Sequence, residues 1–159
     1  MKMVVVDIAD LQVSAEPDSA LVTYALGSCI AVIVHDPVRK VGGMIHYMLP
    51  LSSVSPEKAK SRPAMFADTG IPMLFHAMYD QGCDKRNLVV RVVGGATPHD
   101  ESCVFEIGKR NHTIVRKMLW KAGVAIAAED VGGKLPRTPT LYVDTGRVTV
   151  RSQEAVREL

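Results

Sequence analysis

Short apolar runs dominate the chain, and they predict more strands than helices. Most runs hold three to seven residues rich in Val, Ile or Leu, and turn residues such as Gly, Pro and Asp separate many of them. Runs of this length and composition are typical of β-strands. The predicted strands cover residues 3–8, 20–24, 29–35, 44–49, 88–93, 124–128, 141–143 and 148–150. The run at 29–35 is largely apolar on both faces, which predicts a central strand that is covered on both sides.

Two longer segments are predicted as helices. The first covers residues 69–81, where Pro72 suits the first turn and Gly82 suits the position just after the end. The second covers residues 108–122, where apolar residues recur at helical spacing and Gly123 follows.

Polar stretches with Pro or Gly at 52–63, 96–103 and 132–139 are predicted loops. No repeat or linker divides the 159 residues, so we expect one domain over residues 1–151 and a solvated tail over 152–159. Strands paired largely by hairpins favour an α+β fold with a mixed sheet over a doubly wound parallel sheet.

Charge balance, the length of the apolar runs and the cysteine spacing argue against several classes of function. Lys and Arg number 19 against 17 Asp and Glu, a balance that argues against nucleic acid or an anionic membrane as the main partner. The longest apolar run, residues 26–34, is too short to cross a bilayer, and the first residues do not form a secretory signal. We therefore expect a soluble cytoplasmic protein. Its three cysteines, with no CxxC pair, are expected to be free thiols and not a zinc ribbon.

The candidate chemistry rests on Cys29 and His46, which lie on the two predicted strands either side of Pro37. A two-residue loop would place Cys29 directly opposite His46. A four-residue loop would place Cys29 opposite Met48, with His46 diagonal on the same face, whereas a three-residue loop with a bulge would break the pairing. A thiol within reach of an imidazole is a nucleophile with its base attached.

A catalytic histidine usually has a third group that orients its ring, and Thr23 is the candidate, with Ser28 behind it. Thr23 reaches His46 only if the chain bends, and Gly27-Ser28 is where a bend costs least. The same glycine would let a substrate carbonyl approach the Cys29 backbone N–H, a candidate oxyanion donor.

The residue pattern alone leaves a structural alternative open for each of these side chains. A cysteine in an apolar strand is often a small buried hydrophobe, a histidine there is often a core residue, and a threonine is a common strand former. The cysteines and histidines show no metal-ligand spacing, and the Gly94-Gly95 and Gly132-Gly133 pairs lack a phosphate-loop pattern, which favours turns.

Taken together, however, the motifs resemble the CheD family of chemoreceptor glutamine deamidases. Residues 23–32 (TYALGSCIAV) and 42–50 (GGMIHYMLP) carry most of the likeness. The other matching segments are residues 36–37, 66–68, 94–96, 107–111, 128–133 and 145–148, in family order over nearly the whole chain.

The resemblance implies a catalytic Cys29, His46 and Thr23, no cofactor and no metal. It also implies mixed β-sheets flanked by helices, similar to the catalytic domain of a deamidating bacterial toxin. The implied substrates are glutamines on the cytoplasmic helical bundles of methyl-accepting chemotaxis receptors, and a CheC-type phosphatase is an implied partner.

Two loops depart from the family pattern, at residues 97–100 and at Pro136-Arg137. The loop at residues 97–100 motivates one alternative, a binding module that regulates a CheC-type phosphatase or a receptor with little catalysis. A second alternative keeps the nucleophile but hydrolyses methylated glutamate, since that group also presents an acyl carbon.

Overall fold

The structure, a computed structural model, describes residues 1–97 and 106–159. Its strands are β1 (Lys2–Val5), β2 (Asp10–Ser14), β3 (Ser19–Val22), β4 (Ile30–Asp36), β5 (Val41–Tyr47), β6 (Val89–Gly94), β7 (Ile126–Val131), β8 (Thr138–Tyr142), β9 (Val148–Ser152) and β10 (Ala155–Glu158). Its α-helices are α1 (Pro56–Ser61), α2 (Ala67–Asp80) and α3 (Ile107–Lys121). Short 3₁₀ turns lie at Ser52–Val54, Pro63–Met65 and Lys85–Asn87.

The strands form two five-stranded sheets. The first has the order β1-β3-β8-β9-β10 and the second the order β2-β5-β4-β6-β7. Both are mixed, because β1 pairs with β3 and β6 with β7 in parallel, while the other pairs are antiparallel. These features confirm the predicted α+β class with mixed sheets. The likeness to a toxin deamidase fold stays a prediction.

Two apolar cores separate three layers. One core contains residues from both sheets, including Leu21 and Leu141 from the first and Ile33 and Met44 from the second, so it lies between the sheets. The other contains β4, β5 and β6 residues together with residues of α2 and α3, so the helices cover the opposite face of the second sheet. Strand β4 is central and all seven of its residues are buried, as predicted.

The β4–β5 hairpin has a four-residue loop. Asp36 pairs with Val41, and Ile30 pairs with Tyr47 at the far end. The loop is fixed by Asp36, whose Oδ1 accepts the N–H groups of Val38 and Arg39 at 2.9 and 3.1 Å. Lys40 then adopts a left-handed conformation (φ 55°) and donates its N–H to the Asp36 carbonyl. This local capping selects the four-residue loop, and the two-residue alternative is wrong.

The first long helix begins earlier than the pattern predicts. It starts at Ala67, so Pro72 is its sixth residue and does not lie in the first turn. The N–H groups of Ala67 and Asp68 donate to the carbonyls of Leu49 and Pro50. These tertiary contacts satisfy the exposed donors of the helix start, so the helix extends past the point that its own sequence favours. Gly82 follows its end with φ 85°, as expected.

Three other expectations need correction or addition. The predicted loop at 52–63 contains the short helix α1. The strand β2 at the edge of the second sheet was not predicted. The segment from Ser152 is exposed, as a solvated tail would be, but Ala155–Glu158 pairs with β9 as an edge strand. The pairing partner, not the polar sequence, makes it a strand.

Candidate active site

The segment between β3 and β4, residues 23–29, crosses from the first sheet to the second. It bends at Gly27 and Ser28, as expected, and Ala25 adds a left-handed residue (φ 52°). Leu26 and Arg137 hold the crossing in place by exchanging backbone hydrogen bonds of 2.7 and 3.1 Å. Thr23 and Cys29, at the two ends of this segment, therefore have fixed positions between the sheets.

Cys29 and His46 lie on the same face of the second sheet. His46 pairs with Ala31, and continuing that register places Cys29 opposite Met48. His46 is therefore the diagonal neighbour of Cys29, a relation in which residues lie about 7–8 Å apart and longer side chains still interact. This face is the one turned toward the first sheet, because Cys29 packs against the core between the sheets.

Thr23 contacts the imidazole of His46. The Thr23 Oγ1 lies 2.7 Å from Nδ1 of His46 and 2.6 Å from the carbonyl oxygen of Val6. A hydroxyl has one hydrogen, and the Val6 carbonyl can only accept it. Thr23 therefore donates to Val6 and accepts from Nδ1–H of His46. Because Nδ1 carries the proton, Nε2 keeps its lone pair, which is the arrangement a general base needs.

The imidazole is buried and neutral. Its exposed fraction is 2%, and Nε2 has no hydrogen-bond partner among the described residues. Burial lowers the pKa of His46 to about 4, because a cation there would lose its hydration. The Asp7 carboxylate opposes this shift. Buried polar atoms usually have a hydrogen-bond partner, so Nε2 is a candidate contact for a group that enters the site.

The thiol of Cys29 is also neutral at rest. Burial raises its pKa, while its own backbone N–H opposes that shift. The side chain is half-buried, so it remains open to a reagent or substrate. Burial therefore favours the neutral form of both groups, and among the described residues Nε2 of His46 makes no hydrogen bond with the Cys29 sulfur.

Two glycines in left-handed conformations, Gly94 and Gly95, pack against the backbone carbonyl of Cys29. At Gly94 (φ 118°) a Cβ would lie 2.3 Å from the Cys29 carbonyl oxygen, so no side chain fits. Gly95 donates its N–H to that same oxygen at 2.9 Å. Gly108, at the start of α3, has no room for a Cβ either, which would lie 2.4 Å from the Ala96 oxygen. Gly94 is the last residue of β6 and Gly95 lies in the loop that follows, so the pair ends a strand and does not form the predicted turn.

Asn111 on α3 is a site residue that the sequence reasoning missed. It is fully buried, and its Nδ2 donates to the carbonyls of Ser28 and Met48 at 2.9 and 2.8 Å. A signal existed, because Asn111 falls on the apolar face of a predicted helix, three and four residues before Ile114 and Val115. A polar residue of low helix propensity at such a position usually has a specific partner.

The remaining candidates lie elsewhere. Cys83 is buried beside Asp36, remote from the crossing segment, and burial raises its pKa to about 11. His35 is buried and its Nε2 lies 2.7 Å from the Val143 carbonyl. Cys103 and most of the divergent loop at 97–100 lie outside the described residues. Within residues 1–97 and 106–159, no group of three His, Cys, Asp or Glu side chains is placed to hold a metal ion.

Comparison with known proteins gives one consistent family. Residues 48–152 match a family model described as "CheD chemotactic sensory transduction". The chain is 50% identical over 159 residues to "Probable chemoreceptor glutamine deamidase CheD 2" of Anaeromyxobacter dehalogenans, covering all of both chains. It is 51% identical to "Probable chemoreceptor glutamine deamidase CheD 1" of Syntrophus aciditrophicus, covering 98% of each. The match to "Probable chemoreceptor glutamine deamidase CheD" of Solibacter usitatus is 44% identical and covers 100% of this chain and 94% of that one.

Among solved structures, the crystal structure of Bacillus licheniformis hypothetical protein YfiH covers 76% of this chain and 49% of its own, at 14% identity and a TM-score of 0.46. In the part of the chain that the structure describes, no helix is long and apolar enough to cross a membrane.

Proposed function

The chain belongs to the CheD family, and on that basis we propose that it is a protein-glutamine deamidase that converts chemoreceptor glutamines to glutamate. In this proposal Cys29 is the nucleophile, His46 is the general base and acid, and Thr23 holds the imidazole. The observation that carries it is the Thr23–His46 contact, which leaves a buried Nε2 lone pair on the face that Cys29 shares.

The first half-reaction forms a thioester. The Cys29 Sγ–H proton passes to Nε2 of His46 as the sulfur attacks the glutamine carboxamide carbon, which forms the C–S bond. The carbonyl oxygen becomes an oxyanion, and the Cys29 backbone N–H is the proposed donor to it, with Gly27 leaving room for the substrate. The C–N bond then breaks, and the protonated His46 gives its proton to the departing ammonia.

The second half-reaction restores the enzyme. A water molecule gives a proton to Nε2 of His46 as its oxygen attacks the thioester carbon. The C–S bond breaks, the sulfur recovers the proton from His46, and the product is a glutamate side chain. His46 takes a proton as each nucleophile attacks and returns it as each leaving group departs, and no step of this scheme uses a metal or a cofactor.

The substrate and location belong to the same proposal. The glutamines would lie on the cytoplasmic helical region of methyl-accepting chemotaxis receptors, so the protein would act in the cytoplasm. A CheC-type phosphatase is a proposed second partner. Support for these points comes from the family likeness and from the names of the relatives, which specify chemoreceptors.

The decisive experiment incubates the protein with purified receptor cytoplasmic fragments and scores glutamine-to-glutamate conversion by mass spectrometry. We expect conversion with release of one ammonia per glutamine, and none with Cys29→Ala. Cys83→Ala is the matched control, because that thiol is buried beside Asp36 and should leave the activity unchanged.

Other outcomes would assign other functions. Full activity in Cys29→Ala would refute the thioester mechanism. Binding of a receptor or phosphatase without ammonia release, surviving in Cys29→Ala, would indicate a regulatory binding module. Methanol release from methylated receptor, with glutamine left intact, would indicate a methylesterase.

A further inference from the structure

Asn111 joins the two segments that carry the proposed nucleophile and base. Its amide donates one hydrogen to the carbonyl of Ser28, which precedes Cys29. The other hydrogen goes to the carbonyl of Met48, two residues after His46. The α3 backbone is tied to the same place, because the Tyr47 hydroxyl donates to the Asn111 carbonyl at 2.5 Å. One side chain therefore fixes the spacing of both segments.

The two carbonyls lie where the β4–β5 ladder ends. Its last pair is Ile30 with Tyr47, so Ser28 and Met48 have passed beyond the regular cross-strand hydrogen bonds. Gly95 holds the Cys29 carbonyl on the β6 side, but the Ser28–Cys29 peptide has no cross-strand bond to β5. Asn111 replaces the missing cross-strand bonds with two of its own.

The Asn111 amide has only one orientation that makes hydrogen bonds. Turning the Asn111 amide over would face its oxygen toward two carbonyl oxygens, so only one orientation makes hydrogen bonds. In that orientation Oδ1 is buried without a partner in the described structure. An unsatisfied buried acceptor costs about 1–3 kcal/mol, and an apolar residue here would instead deprive the carbonyls of Ser28 and Met48 of their Asn111 donor.

The clamp on Ser28 determines where the Cys29 N–H points. In a trans peptide the C=O and the next N–H point in opposite directions. Since the Ser28 carbonyl is held toward Asn111, the Cys29 N–H is directed away from α3. It lies beside its own thiol, as its effect on the Cys29 pKa indicates. That is where a carbonyl under attack by Sγ would develop negative charge.

We propose that Asn111 is a positioning residue that holds the Ser28–Cys29 peptide so that the Cys29 N–H faces the oxyanion of the reaction. The proposal rests on the proposed deamidase function. Asn111 acts through the peptide and touches no substrate. Its effect therefore falls on the transition state more than on the bound ground state, and its loss lowers kcat more than it raises KM.

The test compares Asn111→Leu, which keeps the shape and removes both donors, with Tyr47→Phe. The second variant removes the hydrogen bond to the Asn111 backbone but leaves both Nδ2 contacts intact. For Asn111→Leu we expect kcat on receptor fragment to fall by about ten- to a hundredfold with KM changed less than about twofold. For Tyr47→Phe we expect a lower midpoint of thermal unfolding and a much smaller fall in kcat than for Asn111→Leu, because both Nδ2 donors remain.

Two reagents separate positioning from general damage. A peptide whose glutamine carboxamide is replaced by an aldehyde forms a hemithioacetal with Cys29 and needs the oxyanion donor, whereas iodoacetamide alkylates the thiol without it. We expect Asn111→Leu to weaken aldehyde binding by about tenfold or more and to leave the alkylation rate within about twofold. Asn111→Ser, which retains one donor, should recover part of the aldehyde affinity.

Equal losses with both reagents, or a rise in KM that accounts for the whole effect, would overturn the proposal and leave Asn111 a structural residue. The aldehyde comparison does not depend on turnover. If the wild-type protein released no ammonia, the deamidase function would fail, whereas the aldehyde measurement would still decide the role of Asn111.

Discussion

Thr23 shows how a single hydroxyl sets the chemistry of its neighbour. Its only hydrogen goes to the Val6 carbonyl, so it can interact with His46 only by accepting Nδ1–H. This places the free lone pair on Nε2. By residue type Thr23 is an ordinary strand former, yet here it selects one tautomer of the proposed base. It does so because its own hydrogen is used by the Val6 carbonyl, seventeen positions earlier in the chain.

Replacing this hydroxyl should lower both the stability of the protein and its rate. In Thr23→Val the shape is kept, but Nδ1–H loses its acceptor and the ring loses its preferred tautomer. A buried hydrogen bond of this kind contributes about 1–3 kcal/mol, so we expect kcat/KM on receptor fragment to fall by about ten- to a hundredfold. Thr23→Ser retains the hydroxyl and should keep most of the activity. Equal activity in Thr23→Val and wild type would contradict the role assigned to Thr23.

At the scale of elements, the end of β6 supports the nucleophile. Gly94 and Gly132 both have positive φ, but they differ in what surrounds them. A Cβ at Gly94 would collide with the Cys29 carbonyl, whereas a Cβ at Gly132 would meet nothing within 4 Å. The chain therefore offers a matched pair that separates backbone strain from displacement of Cys29.

We expect Gly132→Ala to cost only the strain of a left-handed alanine, about 1–2 kcal/mol of unfolding free energy, with normal turnover. Gly94→Ala carries similar strain and must also push the end of β6 or Cys29 aside. This variant should therefore unfold at a lower urea concentration and lose most of its activity. Urea unfolding followed by circular dichroism, together with turnover on receptor fragment, measures both effects. Comparable turnover in the two variants would mean that the close packing of Gly94 against Cys29 does not position the nucleophile.

At the scale of the whole molecule, the site exists only because two sheets pack face to face. Thr23 follows a strand of the first sheet and His46 lies on a strand of the second. Their contact therefore forms at the interface between the layers, where the imidazole loses its water. The same packing that creates the base also lowers its pKa to about 4, and this couples the site to global stability.

The consequence is a fold that weakens in acid. Between pH 6.5 and 4 the unfolded chain binds a proton at His46 that the native protein does not, so unfolding becomes easier as pH falls through this window. At pH 4.5 the effect amounts to about 2–3 kcal/mol relative to pH 7.5. Measuring the free energy of unfolding in urea for wild type and His46→Gln at both pH values isolates the contribution of His46. The variant should lose less stability than wild type by about that amount, and identical pH dependence would contradict a buried neutral His46.

Much of the element pattern could be predicted from local sequence. The runs that became β4, β5, β6 and α3 are strongly apolar or strongly periodic, so local pattern and final burial agree. The edge strands of the two sheets were harder to predict. Strand β2 and the exposed β10 have no distinctive apolar pattern, and they are strands because a neighbour offers unpaired backbone groups.

The sequence by itself identified Cys29, His46 and Thr23 as candidates, together with the bend at Gly27-Ser28, because residue types and turn signals are local properties. Only the tertiary structure decided how they relate. The register depended on the capping of the hairpin loop by Asp36, and the Thr23–His46 contact depended on the packing of two sheets. Asn111 donates to the carbonyls of Ser28 and Met48, which lie 83 and 63 residues before it in the chain. No local sequence pattern encodes contacts over such separations.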